Sequence, residues 1–389
     1  MDFNMINTMF AILRASIGRT CNDDIYSLTL SEEQAKAIYN TLNKHDLAHM
    51  IGDVLQQSSI GKEHPMLFAK VQKQQLVAAY RYEQLNYEFQ RLCNAFAEAA
   101  IPFIPLKGSV IRRYYPESWM RTSCDVDILV HEEDLENAKQ AIISKLGYDF
   151  QGKGRHDIDF FAPSGVHFEL HYSLIENDAV AEADKPLADV WEHAVLSDGK
   201  KYQYELKTNM FYYYHIAHMA KHFVQGGCGI RPFLDLWMLA NNSEFQLSDH
   251  EPLLISGGLE IFAKQAERLS KVWFDGDEHT DTTKMMEEYV LLGGVYGNLE
   301  NQVAVAQQKK GGKLKYSLSK IWIPYEHLRF HYPSLEGKRA LLLFYEVRRW
   351  FKLLFRGGVK RSVRNLAVNS NISSEQAENT AYLLSKIGL

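Results

Sequence analysis

Apolar residues recur at helical spacing over residues 1–97 and again beyond Asn209, and they alternate in twos only between these stretches. Ser31-Glu-Glu-Gln34 has the form of a capping box, with Ser31 at the N-cap and Gln34 three residues on. Ala69 to Ala100 contains no Gly or Pro and predicts one long helix. Ile101 to Leu106 predicts a first strand, and its two prolines, Pro102 and Pro105, place it at a strand end or sheet edge. A helix is expected over Ser109 to Tyr115 and a second strand over Cys124 to Val130. Glu132 to Leu146 predicts an amphipathic helix that stops at Gly147. Tyr148–Phe150, Asp157–Ala162 and Val166–Tyr172 supply further strands, the last two joined by a turn at Pro163-Ser-Gly165.

Beyond Asn209 the helical patterns break at Gly226-Gly227, Gly257-Gly258, Gly293-Gly294 and Gly311-Gly312. A polar Asn/Ser stretch from Asn365 leads to a short helix pattern beginning near Ser373, and no internal repeat is visible. The order predicts an α+β protein: a small mixed β-sheet with helices on one face, flanked by largely helical N- and C-terminal regions. The boundaries fall at 1–97 for the N-terminal helices, 98–185 for the core and 205–389 for the C-terminal helical domain.

With 389 residues, 46% hydrophobic and 23% charged, the chain reads as an ordinary globular protein of two or three domains. No basic region precedes an apolar run at Met-Asp-Phe-Asn-Met, so no secretory signal is expected. The most apolar long stretch, Ala340 to Phe355, carries Glu346, Arg348, Arg349 and Lys352, so no transmembrane segment is expected either. Cys21, Cys93, Cys124 and Cys228 are scattered and read as reduced thiols of a cytoplasmic protein. The net charge of −5 hides an asymmetry: Lys309 to Arg364 holds fifteen Lys or Arg against three acids, a local +12, leaving −17 on the rest. A basic segment with interleaved Tyr, Trp and Phe suits a nucleic acid, an anionic membrane face or a triphosphate, or else balances the acidic domains within the molecule.

The candidate chemistry lies in the core. In the strand Asp125-Val-Asp127-Ile-Leu-Val130 the two carboxylates point the same way, where they repel unless a cation sits between them. Mg²⁺ (or Mn²⁺), held by one or two carboxylates plus substrate phosphates, suits such a pair. The turn Gly108-Ser109 before a helix offers backbone N–H groups to a phosphate, with Lys107 beside it as a point charge. Arg121, four residues before Asp125, could reach a phosphate or neutralise the aspartates. On the later strand His167, Glu169 and His171 share the polar face while Phe168, Leu170 and Tyr172 share the apolar one. Together these suggest a metal-dependent site for a nucleoside triphosphate.

The glycine turn, the Asp-x-Asp strand and the later third acid resemble the nucleotidyltransferase superfamily, the fold of DNA polymerase beta and the antibiotic nucleotidyltransferases. Pro105-Leu-Lys-Gly-Ser109, Tyr115-Pro116, Arg121, Asp125-Val-Asp-Ile-Leu-Val130, Leu146-Gly-Tyr148 and Glu169-Leu-His-Tyr172 are similar to its large, poorly characterised bacterial branch. His218, Arg231 and Asp235-Leu236 also look like that branch's helical region, so the resemblance covers roughly residues 25–270. Two departures from the wider superfamily are Lys107 before the glycine and Glu169 where Asp is common. The resemblance implies a nucleotidyltransferase core with Mg²⁺ on Asp125, Asp127 and Glu169. Lys107, Gly108, Ser109 and Arg121 would then bind the triphosphate, ATP or another NTP, and His171 would be an orienting residue or a base.

Other constellations carry weaker signals. His215, His218 and His222 fall on one helix face, as core histidines, cleft-lining groups or an incomplete zinc set. Arg231 and Asp235, four apart, predict an intrahelical pair or a cleft-lining role. His156-Asp157 has the dipeptide of metal phosphohydrolases without their further ligands. The expected activity is transfer of a nucleoside monophosphate to an acceptor: a small molecule, a sugar, a protein or an RNA. The alternative is a catalytically silent nucleotide- or RNA-binding module with nucleic acid on the basic 309–364 segment, and a nuclease or phosphohydrolase stands third.

Overall fold

The computed structural model describes residues 1–18, 25–175, 180, 182–247, 249–295, 297–355 and 359–389, so Cys21 lies outside the described residues. Five strands form one mixed sheet in the order β1-β2-β5-β4-β3: β1 is Phe103–Pro105, β2 Asp125–Val130, β3 Asp149–Lys153, β4 Asp157–Phe161 and β5 His167–His171. β2 and β5 run parallel, and the other three pairings are antiparallel. The proline-bearing β1 sits at the edge, where Pro105 withholds no ladder donor.

Alternation along β2 divides the sheet. Val126, Ile128 and Val130 pack with Phe168 and Leu170 of β5 and Ile158 and Phe160 of β4 on one face. That face is closed by the helix Pro65–Glu98, through Leu85, Leu92 and Phe96, and by the helix Leu135–Ala141, through Leu135 and Ala138. The second of these continues as a wider turn over Ile142–Leu146 and stops at Gly147, whose φ of +69° a side chain would disfavour. The capping boxes at Ser31 and Ser373 both form, and the helices end at or just before the four glycine pairs. The polar stretch from Asn365 belongs to the helix Val359–Asn371, which buries Asn369 against Gln307.

On the opposite face Ile104, Leu106 and Leu129 join a larger core shared with the N-terminal helices and with the helices Thr208–Val224, Arg231–Ala240 and Glu260–Phe274. The helical regions before and after the sheet therefore bury one another's apolar stripes. Beyond Leu129 that face carries Asp125, Asp127, His167, Glu169, His171, Asp157 and Asp159, with Phe161 stacked on His167 at its margin.

The shared core holds several buried histidines in the neutral state. Burial pulls His45 down to about 4, and it lowers His49, His215 and His218 as well. His45 is fully buried and accepts from Ile230 N–H at 3.3 Å. Its folded pKa lies below its unfolded value of about 6.5, so the stability it contributes is complete above that value and is lost as pH falls through about 4. The expected loss from this group is about 3 kcal/mol. His45→Gln should flatten the acid limb of a melting-temperature profile between these pH values; an unchanged limb would mean that His45 is not the group titrating.

Candidate active site

The parallel register of β2 on β5 brings the sequence-predicted acids together. Asp125 lies beside His167, Asp127 beside Glu169 and Leu129 beside His171. β4, antiparallel to β5, adds Asp157 beside His171 and Asp159 beside Glu169. One polar patch thus spans three strands. Asp157-Ile-Asp159 repeats the Asp-x-Asp alternation of β2, a signal present in the sequence but not used there.

Lys107 is central to the patch. Its Nζ donates to Asp127 Oδ1 at 2.8 Å, and His171 Nε2 meets the same oxygen at 2.9 Å and Glu169 Oε2 at 3.5 Å. Burial would push the Asp127 carboxyl up, but the Lys107 ammonium and the His171 hydrogen bond outweigh it and hold the group well below the usual carboxylate range. Lys107 and His171 shift up in return, against burial, because Asp127 faces both. Asp125 behaves oppositely: burial and the Asp127 charge push it up, and Lys107 only partly offsets them. His171 Nδ1 is buried with no hydrogen-bond partner.

The turn preceding β2 differs from expectation. The left-handed residue is Lys107, at φ +45°, not Gly108. Such a conformation costs a non-glycine residue about 1–3 kcal/mol and is found where a side chain must be aimed. Gly108 instead allows a close approach: a Cβ there would lie 3.2 Å from Ser123 Cβ, a tight contact. The Ser109 and Val110 N–H groups are spent inside the turn, on Leu106 O and Lys107 O, so the amides expected to cradle a phosphate are largely committed. The helix that follows is one turn, Gly108–Ile111, extended as 3-10 over Arg112–Tyr114.

Arg121, expected near a phosphate or the aspartates, donates Nε to Asp235 Oδ1 at 2.7 Å and Nη1 to Thr122 O at 2.6 Å. Asp235 also accepts from the Tyr115 hydroxyl at 2.7 Å. The expected Arg231–Asp235 intrahelical pair does not form, because Arg231 turns to Asp46 and to Thr122 O instead.

The helix Thr208–Val224 stands over the polar face. Tyr214 is buried near Lys107, and burial raises its pKa. Lys221 is drawn down to about 8 by burial and by Lys107, with Glu169 and Asp157 pulling the other way. Sequence reasoning missed both, since neither stands out within a helix so rich in aromatics. His215 binds Pro232 O at 3.0 Å, and His218 and His222 share a contact at 3.2 Å. Among the described residues none of these three belongs to a set that could hold a metal.

Three such sets do occur, each with donor atoms within 4.8 Å of one another: Asp125/His167/Glu169, Asp127/Glu169/His171 and His156/Asp157/His171. The first two share Glu169 and join both β2 acids. Their three carboxylates fit a divalent cation by donor type and charge.

A mixed sheet carrying a carboxylate-rich patch beneath a helix marks an α+β protein whose patch holds groups that could bind a metal ion. The family described as an uncharacterised nucleotidyltransferase matches residues 31–275, and the chain belongs to that family. No curated protein and no solved structure matches it. Among the described residues no helix is long and apolar enough to cross a membrane.

Proposed function

We propose that the protein is a Mg²⁺-dependent nucleotidyltransferase that moves a nucleoside monophosphate from an NTP to an acceptor hydroxyl and releases pyrophosphate. The observation that carries this reading is the register of β2 on β5, which sets Asp127 beside Glu169 with Asp125 on the same face. Asp125, Asp127 and Glu169 would hold the ion. Bound there, Mg²⁺ supplies charge neutralisation for the triphosphate and favours the deprotonated acceptor oxygen.

The remaining chemistry belongs to the chain. The acceptor oxygen attacks the α-phosphorus, the bond to the pyrophosphate oxygen breaks, and the hydroxyl proton leaves to the carboxylate side of the patch. Lys107 and Lys221 supply positive charge to the phosphates from the turn and from the overlying helix. His171, whose Nε2 already faces Asp127 and Glu169, orients these carboxylates. Arg121, bound to Asp235, positions β2 instead of touching phosphate. Gly108 and Ser109 shape the turn that aims Lys107.

The acceptor stays among the classes the sequence leaves open, a small molecule, a sugar, a protein or an RNA. One observation favours a second reading, the catalytically silent nucleotide-binding module: the Lys107 ammonium already satisfies Asp127 without a metal. Thermal melting with each NTP and Mg²⁺ separates the two. Ligand at about 100 times its dissociation constant should add about 2.7 kcal/mol. A shift that needs both NTP and Mg²⁺ is expected. A shift with NTP that ignores Mg²⁺ would favour the silent module, and no shift with any NTP would remove both.

A further inference from the structure

The basic segment is built unlike a solvated face. The helix Lys313–Ile321 exposes Leu314, Leu318 and Ile321, spaced by four and then three residues along one side, with Trp322 just after it. The helix Leu342–Phe355 exposes Leu343, Phe344, Val347 and Phe351, again along one side. The exposures are large, 74% at Leu314 and 61% at Phe344, although the segment has a small core of its own in Leu328, Leu335 and Tyr345.

The two helices are fixed to each other. Ile321 O accepts from Arg349 Nη2 at 2.7 Å and from Trp350 Nε1 at 3.1 Å, while Ile323 N–H donates to Glu346 Oε1 at 2.8 Å. Exposed cations lie among the apolar positions: Lys310, Lys315, Lys338, Arg339, Arg348 and Lys352. Isolated exposed leucines are ordinary, but two helical stripes within a region of net charge +12 are not.

We infer that residues 309–352 dock on the surface of an anionic phospholipid bilayer, lying in its interface without crossing it. A lipid interface accepts both features at once: the apolar stripes enter the headgroup–acyl boundary, and the Lys and Arg side chains meet the phosphates. A nucleic acid would take the cations and can stack bases on Phe344 or Phe351, but it has no use for the aliphatic Leu314, Leu318, Ile321, Leu343 and Val347 standing in water. The residues outside 309–364, at −17, are repelled from the same surface, which orients the protein with this segment toward the lipid.

Co-sedimentation of the full chain with vesicles tests the assignment, using phosphatidylcholine alone and phosphatidylcholine mixed with phosphatidylglycerol. Binding to the anionic vesicles is expected to be at least about tenfold tighter than to the neutral ones. Phe344→Glu/Phe351→Glu should weaken it at least about tenfold with the melting temperature unchanged, because both rings already stand in water. No sedimentation with anionic vesicles overturns the proposal, as does vesicle binding that the double variant leaves intact. So does single-stranded RNA binding that outcompetes the vesicles. A dimer that the double variant dissociates would assign the stripes to a second copy of the chain and equally overturn the lipid reading.

Discussion

Asp125→Asn should remove NTP turnover, by about 10³-fold or more, while leaving the melting temperature unchanged or raised. The rate loss follows from the several kcal/mol of charge stabilisation that a catalytic divalent ion supplies, at about 1.4 kcal/mol per decade. The stability side follows from the patch itself. Asp125 is pushed up by burial and by the Asp127 charge, and among the described residues no side chain donates a hydrogen bond to its carboxylate. An asparagine therefore relieves repulsion and breaks no bond.

Asp127→Asn, the more obvious variant, confounds the two effects. It would remove the counter-charge of Lys107 and His171 together, and breaking a buried pair from one side typically costs about 3–5 kcal/mol. Turnover by Asp125→Asn at the native rate would mean that Asp125 ligates nothing the reaction needs. A large drop in its melting temperature would mean that the carboxylate is structural.

The reach of the sequence can be traced through these residues. Alternation alone puts Asp125 and Asp127 on one face and Val126 and Ile128 on the other, because the period of a strand is fixed by backbone geometry. The same rule groups His167, Glu169 and His171. Which strand lies beside which is not a local property: Asp127 meets Glu169 through a parallel pairing whose register depends on everything between them. Asp157 and Asp159 were legible as a second alternating pair, and only the antiparallel seating of β4 gives them meaning.

Partner choice was less legible still. Arg231 and Asp235 have intrahelical spacing, yet each bonds to another part of the chain: Asp235 takes Arg121 and Tyr115, and Arg231 turns to Asp46 and Thr122 O. The strained turn at Lys107 was invisible because the adjacent glycine is the residue usually expected to adopt positive φ. The capping box at Ser31 and the glycine stops, which depend on a few consecutive residues, were legible outright.

The cross-link made by Asp235 should be the most costly side chain to neutralise outside the acidic patch. Asp235 is fully buried on the helix Arg231–Ala240, and its Oδ1 takes both the Arg121 and the Tyr115 hydrogen bonds. Burial alone would lower the Arg121 pKa; Asp235 outweighs it and holds the guanidinium charged. Asp235→Asn leaves that charge buried without its counter-ion, a loss of about 3–5 kcal/mol. At roughly 2 °C per kcal/mol for a chain larger than a small domain, the melting temperature should fall by about 6–10 °C. Arg121→Met/Asp235→Leu should recover most of that loss, because a buried pair replaced whole by apolar groups leaves no charge stranded. Since Arg121 stands just before β2, the double variant should fold yet bind NTP and Mg²⁺ more weakly than the native chain, the clamp on the Asp125 strand being gone. Asp235→Asn melting within about 1 °C of the native protein would refute the buried ion pair, and native NTP affinity in the double variant would refute its positioning role.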